Sequence, residues 1–261
     1  IVTLTRCAYL GSQKFASLVW SGDIPSTFES LSCQVKAGLN MAMCGIPWWN
    51  TDIGGFYGAD IESDYFKELI VRWFQFGTFC PVMRIHGDRQ PFSPIINKAG
   101  ESREHTGADN EVWSYGEENY PILVKFIQVR ELMRDYTREV MKEAHEKGSP
   151  VMRAMFYEFP EDKACWDNEC QYMYGPSILV APVMEKAQTS KEVYLPAGAK
   201  WTNVWTKEVF EGGQTVTVDA PSNVCLTLRK YKKDDVLVRD YISFSAIIKD
   251  TIEKTIITSK I

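Results

Sequence analysis

Three stretches of the chain set polar and aromatic groups directly behind short apolar runs: Trp20-Ser21-Gly22-Asp23, Asn50-Thr51-Asp52 and His86-Gly87-Asp88. Asp23, Asp52 and Asp88 could converge at one rim. Paired carboxylates are what cleavage of a glycosidic bond needs, one donating a proton and the other attacking or acting as base. A carboxyl three residues from the Trp20 indole would lose hydration, keep its proton nearer neutral pH and so serve as a general acid. Read alone, Asp23 fits better as the N-cap of the helix that follows. Trp20, Trp48, Trp49 and Phe56 lie in or beside the same loops and offer a platform for the C–H face of a sugar. The competing reading is core packing, which is the stronger one for Trp48 and evenly balanced for Trp49. Arg6 and His86 end or follow strands, and at one rim they could bind hydroxyl groups of a neutral polyol.

The elements that must position these groups follow from hydrophobic period. Ile1–Thr5, Ser17–Trp20, Ile46–Trp49 and Val82–Ile85 read as short strands. A helix opening at Thr27 and running to Met43 carries Leu31, Val35, Leu39 and Ala42 near helical spacing. A second, Tyr65–Phe79, is capped by Ser63 or Asp64, carries Phe66, Leu69, Ile70, Trp73 and Phe74 as one stripe, and stops at Pro81. The polar segment Gly87–Gly116 is expected to be mostly loop. A third helix is predicted from about Pro121 to Glu146, with Ile122, Leu123, Phe126, Ile127, Met133, Tyr136, Val140 and Ala144 inward and Gly148 as its C-cap. Strand–loop–helix units in this order predict a parallel sheet with helices outside, and in a β/α barrel the residues just past the strands form the reactive rim. Beyond Pro160 the strands Ser177–Val183, Lys191–Leu195, Lys200–Val204 and Gln214–Val218 predict an antiparallel β unit. The expected divisions are therefore 1–168, 169–222 and an atypical tail over 223–261, in which Arg229–Asp235 is read as a solvated charge run.

Composition narrows the function. The 261 residues are 45 % hydrophobic and 24 % charged, which suits a globular chain with a core. The net charge of −5 disfavours a phosphate backbone as partner, so no nucleic acid is expected. No apolar run reaches the ~18 residues of a membrane span. Aromatic residues reach 13 %, and the eight Trp must be either core or stacking surface. Seven Cys without zinc spacing are expected to be free, mostly buried thiols in a reducing, cytoplasmic setting, with a Cys165–Cys170 bridge left open. Three His make a His-rich metal centre improbable. Gly54-Gly55 is a tight turn and not a phosphate cradle, and no GxSxG elbow supports acyl hydrolysis.

The combination Trp20-Ser21-Gly22-Asp23 with Glu29-Ser30-Leu31, then Asn50-Thr51-Asp52-Ile53-Gly54-Gly55-Phe56, then Arg84-Ile85-His86-Gly87, resembles glycoside hydrolase family 31. Pro150-Val151-Met152-Arg153-Ala154-Met155 and the segment Leu195-Pro196-Ala197-Gly198 with Trp201 and Trp205 look like the same family. The likeness covers about residues 1–220. It implies the later strands of a (β/α)8 TIM barrel followed by a small antiparallel β domain, and a retaining exo-acting α-glycosidase, an α-xylosidase or α-glucosidase, acting on oligosaccharides. By that resemblance Asp23 is the general acid/base, Arg6, Trp20 and Trp49 line the sugar subsite, and Asp52 and His86 hold hydroxyls of the terminal sugar. No cofactor and no metal are implied. The family's nucleophilic Asp belongs to a motif upstream of Arg6, and no segment here matches it. The chain alone is therefore expected to be inactive and to associate with the N-terminal half of its barrel, or with a second copy as a homo-oligomer. An inactive carbohydrate-binding remnant is the alternative. The departure from the family after Ala220-Pro221 is expected to reflect an aberrant terminus or a frame error.

Overall fold

The computed structural model describes residues 3–231; Ile1, Val2 and the segment from 232 onward, with the expectations that fall on them, lie outside the described residues. Strands β1 (Thr3–Thr5), β2 (Ser17–Trp20) and β3 (Trp49–Asn50) form a parallel sheet in the order β1-β2-β3. Residues 82–85 run parallel beside β3. The Val82 amide donates to the Trp49 carbonyl at 3.2 Å, and Ile53 bridges Ile85. The expected strand Val82–Ile85 is thus reduced to one bridge, because β3 ends at Asn50 and only Ile53 meets it farther on.

Helix α1 (Phe28–Met43) connects β2 to β3, and Thr27 caps it by accepting from the Ser30 amide at 3.0 Å. Asp23 is therefore not the cap. Strand β4 (Ala59–Asp60) precedes α2 (Asp64–Thr78), which is capped by Ser63 through the Phe66 amide at 3.2 Å. The expected stripe of Phe66, Leu69, Ile70, Trp73 and Phe74 is buried. The segment expected as loop folds instead into an antiparallel hairpin, β5 (Arg89–Ile96) and β6 (Ser102–Ala108). Most of its residues are exposed on both faces, so no apolar alternation marks it. The long third helix divides at Met133 into α3 (Tyr120–Leu132) and α4 (Arg134–Lys147). Leu123, Phe126 and Val129 turn inward, and Ile127, expected inside, is 43 % exposed.

The rest is antiparallel. Strand β7 (Met152–Ala154) leads through the short helix α5 (Met155–Glu158) to β8 (Tyr172–Tyr174) and β9 (Ile178–Ala181). Strands β10 (Ser190–Leu195), β11 (Lys200–Asn203), β12 (Val209–Glu211), β13 (Gln214–Asp219) and β14 (Leu226–Tyr231) follow. One sheet of six runs β12-β11-β14-β9-β8-β7, and β10 pairs with β13. Alternation along β8 and β9 sends Tyr172, Tyr174, Ile178 and Val180 into the core under the helices, and Met173, Leu179 and Ala181 into a second core with Val193, Leu195 and Trp201. The expected divisions after 168 and 222 both fall inside this sheet, which begins at β7 and includes β14. The first residues of the supposed solvated charge run, Arg229 and Lys230, belong to β14. All seven cysteines are free; Cys80, Cys165 and Cys225 are buried, and four are exposed where most were expected inside.

Lys125 on α3 joins the two layers. Its Nζ donates to the Asn223 carbonyl at 2.6 Å and stands 4.2 Å from the centre of the Trp205 ring. Burial pushes its pKa down from 10.5 to about 8. Folding thus disfavours the ammonium form, so the contribution of this group to stability is lost as pH falls through about 8 and recovered as pH rises toward 10.5. Lys125→Met should flatten the rise of Tm across that interval. An unchanged slope in thermal melts would assign the rise to other groups.

Candidate active site

Side chains on a strand alternate between faces. An ideal Cβ on Gly38 of α1 would lie 2.8 Å from the Trp49 indole nitrogen, and Thr51 accepts from Trp73 of α2 at 3.1 Å. An added Cβ on Gly77 of α2 would collide with the Ile53 side chain. Trp49, Thr51 and Ile53 therefore face the helices, and Trp48, Asn50 and Asp52 face the opposite, inner side. Trp20, in register with Asn50, and Arg84, hydrogen-bonded to Asp52, share that inner side. All these groups lie toward the C-terminal ends of the parallel segments, where a β/α architecture gathers its reacting residues.

Backbone hydrogen bonds stitch the three rim loops together. The Phe56 amide donates to Ile24 at 2.8 Å, the Ser26 amide to Tyr57 at 2.9 Å, and the Asp88 amide to Phe56 at 2.7 Å. Gly55 at φ 74° makes this possible, since a Cβ there would lie 2.7 Å from the Ser26 Cα. Arg89, fully buried, ties the second and third loops from below. Its guanidinium donates to the carbonyls of Ile53 at 2.8 Å, Gly55 at 2.6 Å and His86 at 3.3 Å, and its Nε to Asn110 at 3.1 Å.

Asp23 and Arg6 meet at this rim, with 3.7 Å between the Asp23 carboxylate and the Arg6 guanidinium. The guanidinium lies against Gly22, whose φ of 77° turns the backbone so that an added Cβ would be only 3.0 Å from Arg6 Nη2. The side chain of Asp23 is 41 % exposed and faces a cation. The dehydrated setting beside Trp20 expected from the sequence is not formed, because the Trp20 ring is occupied by Arg84, whose guanidinium carbon is 5.7 Å from its centre.

Asp52 is fully buried and bonded to Arg84. Burial raises its pKa, while the charges of Arg84, His86 and Arg89 pull it down and that of Asp23 pushes it up. His86 packs on Phe56 with ring centres 5.4 Å apart. Arg6, Trp20, Asp23, Asp52 and His86 are thus gathered at one end of the parallel segments. Two other candidates are not. Trp49, expected at the sugar wall, is 3 % exposed in the helix-facing layer, because strand alternation cannot put it on the same face as Trp48. Asp88 turns its carboxyl toward Gly107 in the hairpin. The sequence offers Arg84 only as part of a motif, with no role assigned, and does not single out Arg89. Arg84 stands two residues before His86, on the same face of an extended segment, which was a usable signal. Arg89 carries no periodic signal; its trace is the glycines at 54 and 87 that make room for its guanidinium. Among the described residues, no group of three or more His, Cys, Asp and Glu stands together as metal ligands would.

Residues 1–139 match the model of the glycosyl hydrolases family 31 TIM-barrel domain, and residues 148–233 match that of the family's C-terminal domain. The chain belongs to glycoside hydrolase family 31. An α-xylosidase of this family from a soil metagenome, solved with xylose, superposes with a TM-score of 0.87 at 48 % identity, over 92 % of this chain and 36 % of that one. The α-xylosidase of Saccharolobus solfataricus is 35 % identical over 84 % of this chain and 27 % of its own length. The α-glucosidase 2 of Bacillus thermoamyloliquefaciens is 33 % identical over 83 % of this chain and 25 % of its own. The family 31 chain therefore spans about a quarter to a third of these proteins. The architecture is that of the family, a TIM-barrel domain followed by a C-terminal β domain. The match of residues 148–233 also takes in β14, so the departure from the family expected after Ala220-Pro221 does not hold there.

Proposed function

We propose that this chain supplies the acid/base side of a retaining exo-α-glycosidase that removes terminal α-linked xylose from oligosaccharides, with α-linked glucose as the second reading. The observation that carries it is the meeting of Asp23 with Arg6, and of the Asp52–Arg84 pair with His86, at one end of the parallel segments. The preference for xylose is supported by the α-xylosidase at 48 % identity. In this reading the attacking carboxylate belongs to a segment outside these 261 residues, in keeping with the share of the relatives that the chain spans.

The reaction is a double displacement. The external carboxylate forms a bond to the anomeric carbon while the bond from that carbon to the leaving oxygen breaks, and Asp23 gives its proton to that oxygen. Ionised Asp23 then takes a proton from the water that attacks the anomeric carbon and releases the enzyme carboxylate, so configuration is retained. The two carboxyl groups should stand about 5–5.5 Å apart. Arg6 holds Asp23 in place, and Asp52 fixes Arg84 beside Trp20 so that Arg84 and His86 present donors to the sugar hydroxyls. Seven free thiols support a reducing compartment, and the cytoplasm is the proposed location.

The test compares p-nitrophenyl α-xyloside with p-nitrophenyl α-glucoside. Joined to the upstream half of its barrel, the chain should turn over the xyloside at the higher kcat/KM. The 261 residues alone should turn over neither, and hydrolysis by the isolated chain would overturn the division of the site.

A further inference from the structure

The eight Trp divide by position. Trp49, Trp73 and Trp201 are core; Trp20, Trp48 and Trp205 are half-buried; Trp113 is 66 % exposed. Trp166 is 56 % exposed, yet it is held in place. Its indole N–H donates to the Pro160 carbonyl at 2.9 Å, and its ring stacks on Phe156 with centres 5.0 Å apart and planes 16° apart. The turn that carries it is anchored in turn. Asp162 accepts from the Tyr194 hydroxyl at 2.8 Å and from the Ala197 amide at 3.0 Å. One face of the indole is therefore backed by Phe156 and more than half of the residue stays open to water, in an orientation set before any ligand arrives.

We propose that Trp166 is the stacking platform of a second carbohydrate-binding site, on the C-terminal β unit. A single flat ring with a polar border matches a pyranose, which presents an apolar C–H face bounded by hydroxyls. The negative face of the indole attracts those polarised C–H groups. Exposed Glu161, Lys163 and Asp167 and half-buried Asn168 adjoin the ring in sequence and supply donors and acceptors of both charges. That border does not fit an apolar peptide helix, which needs a continuous hydrophobic groove. The two carboxylates against one ammonium in this stretch favour a neutral oligosaccharide over a polyanion. Because the ring is fixed beforehand, binding costs little side-chain ordering. This inference rests on the proposed function only for the class of ligand.

The test is native electrophoresis of the chain in gels containing soluble xyloglucan or dextran. Wild type and Asp23→Asn should both be retarded by at least one of them, and Trp166→Ala should bind at least tenfold more weakly. Trp166→Phe keeps a ring against Phe156 but loses the tie to Pro160, and it should fall between them; it serves as the readout if the alanine variant fails to fold. The polysaccharide should also shield wild-type tryptophan fluorescence from acrylamide, and Trp166→Phe should reduce that shielding. Retardation by neither polysaccharide, or retardation unchanged in both Trp166 variants, overturns the proposal. Turnover by the completed barrel without Trp166-dependent retardation would sink this site and leave the proposed function standing. Retardation without turnover would do the reverse.

Discussion

In the completed barrel, Asp23→Ala should lower turnover of an α-linked disaccharide by about 10²–10⁴-fold, the range that a positioned general acid contributes. The loss should be much smaller with an aryl α-glycoside, whose phenolate leaves without protonation. That difference between substrates separates proton delivery from mere positioning. A variant that only disturbed Arg6 or the rim would damage both substrates alike, so equal losses would count against the role. The structure adds a condition. Asp23 is 41 % exposed and opposed by Arg6 when the chain stands alone, so the low-hydration setting a general acid needs must come from the bound sugar and the rest of the barrel.

The second large effect concerns Arg89. Arg89→Ala should destabilise the chain by about 2–6 kcal/mol, since it strands at least the Ile53 and Gly55 carbonyls and each buried acceptor left unpaired costs about 1–3 kcal/mol. At this size each kcal/mol moves Tm by roughly 2–4 °C. Arg89→Lys should rescue little, because an ammonium is a point donor and cannot span three carbonyls and Asn110 as the planar guanidinium does. Thermal melts of the two variants decide it. A shift below 2 °C in Arg89→Ala would mean that the rim loops hold themselves through the bonds of Phe56 and Asp88.

The sequence made the helices legible because their apolar positions recur at helical spacing over long runs; α1 and α2 are buried along the stripes read for them. The rim motifs were legible because polar groups directly behind apolar strands have few other places to be. What stayed hidden lacked a period. The β5–β6 hairpin is wet on both faces, and the division at Met133 interrupts a helical pattern without a Gly or Pro to mark it. Strand β14 carries Arg229 and Lys230 beside the core residues Leu226 and Leu228, and the charges obscured the alternation. The Trp48–Trp49 pair held its own answer, because neighbours on a strand cannot share a face.

The sheet from β7 to β12 has one face in each core, and Met152 of β7 would lie 3.3 Å from a Cβ added to Gly38 of α1. It is a party wall between two rooms. Chimeras that exchange C-terminal units among relatives should therefore place their crossover before β7, between α4 and Val151, and should carry matching partners for Tyr172 and Tyr174 on α2 and α4. A join at residue 168 would leave β7 paired with a foreign β8 and disturb the ground beneath α1, the helix that follows the loop bearing Asp23.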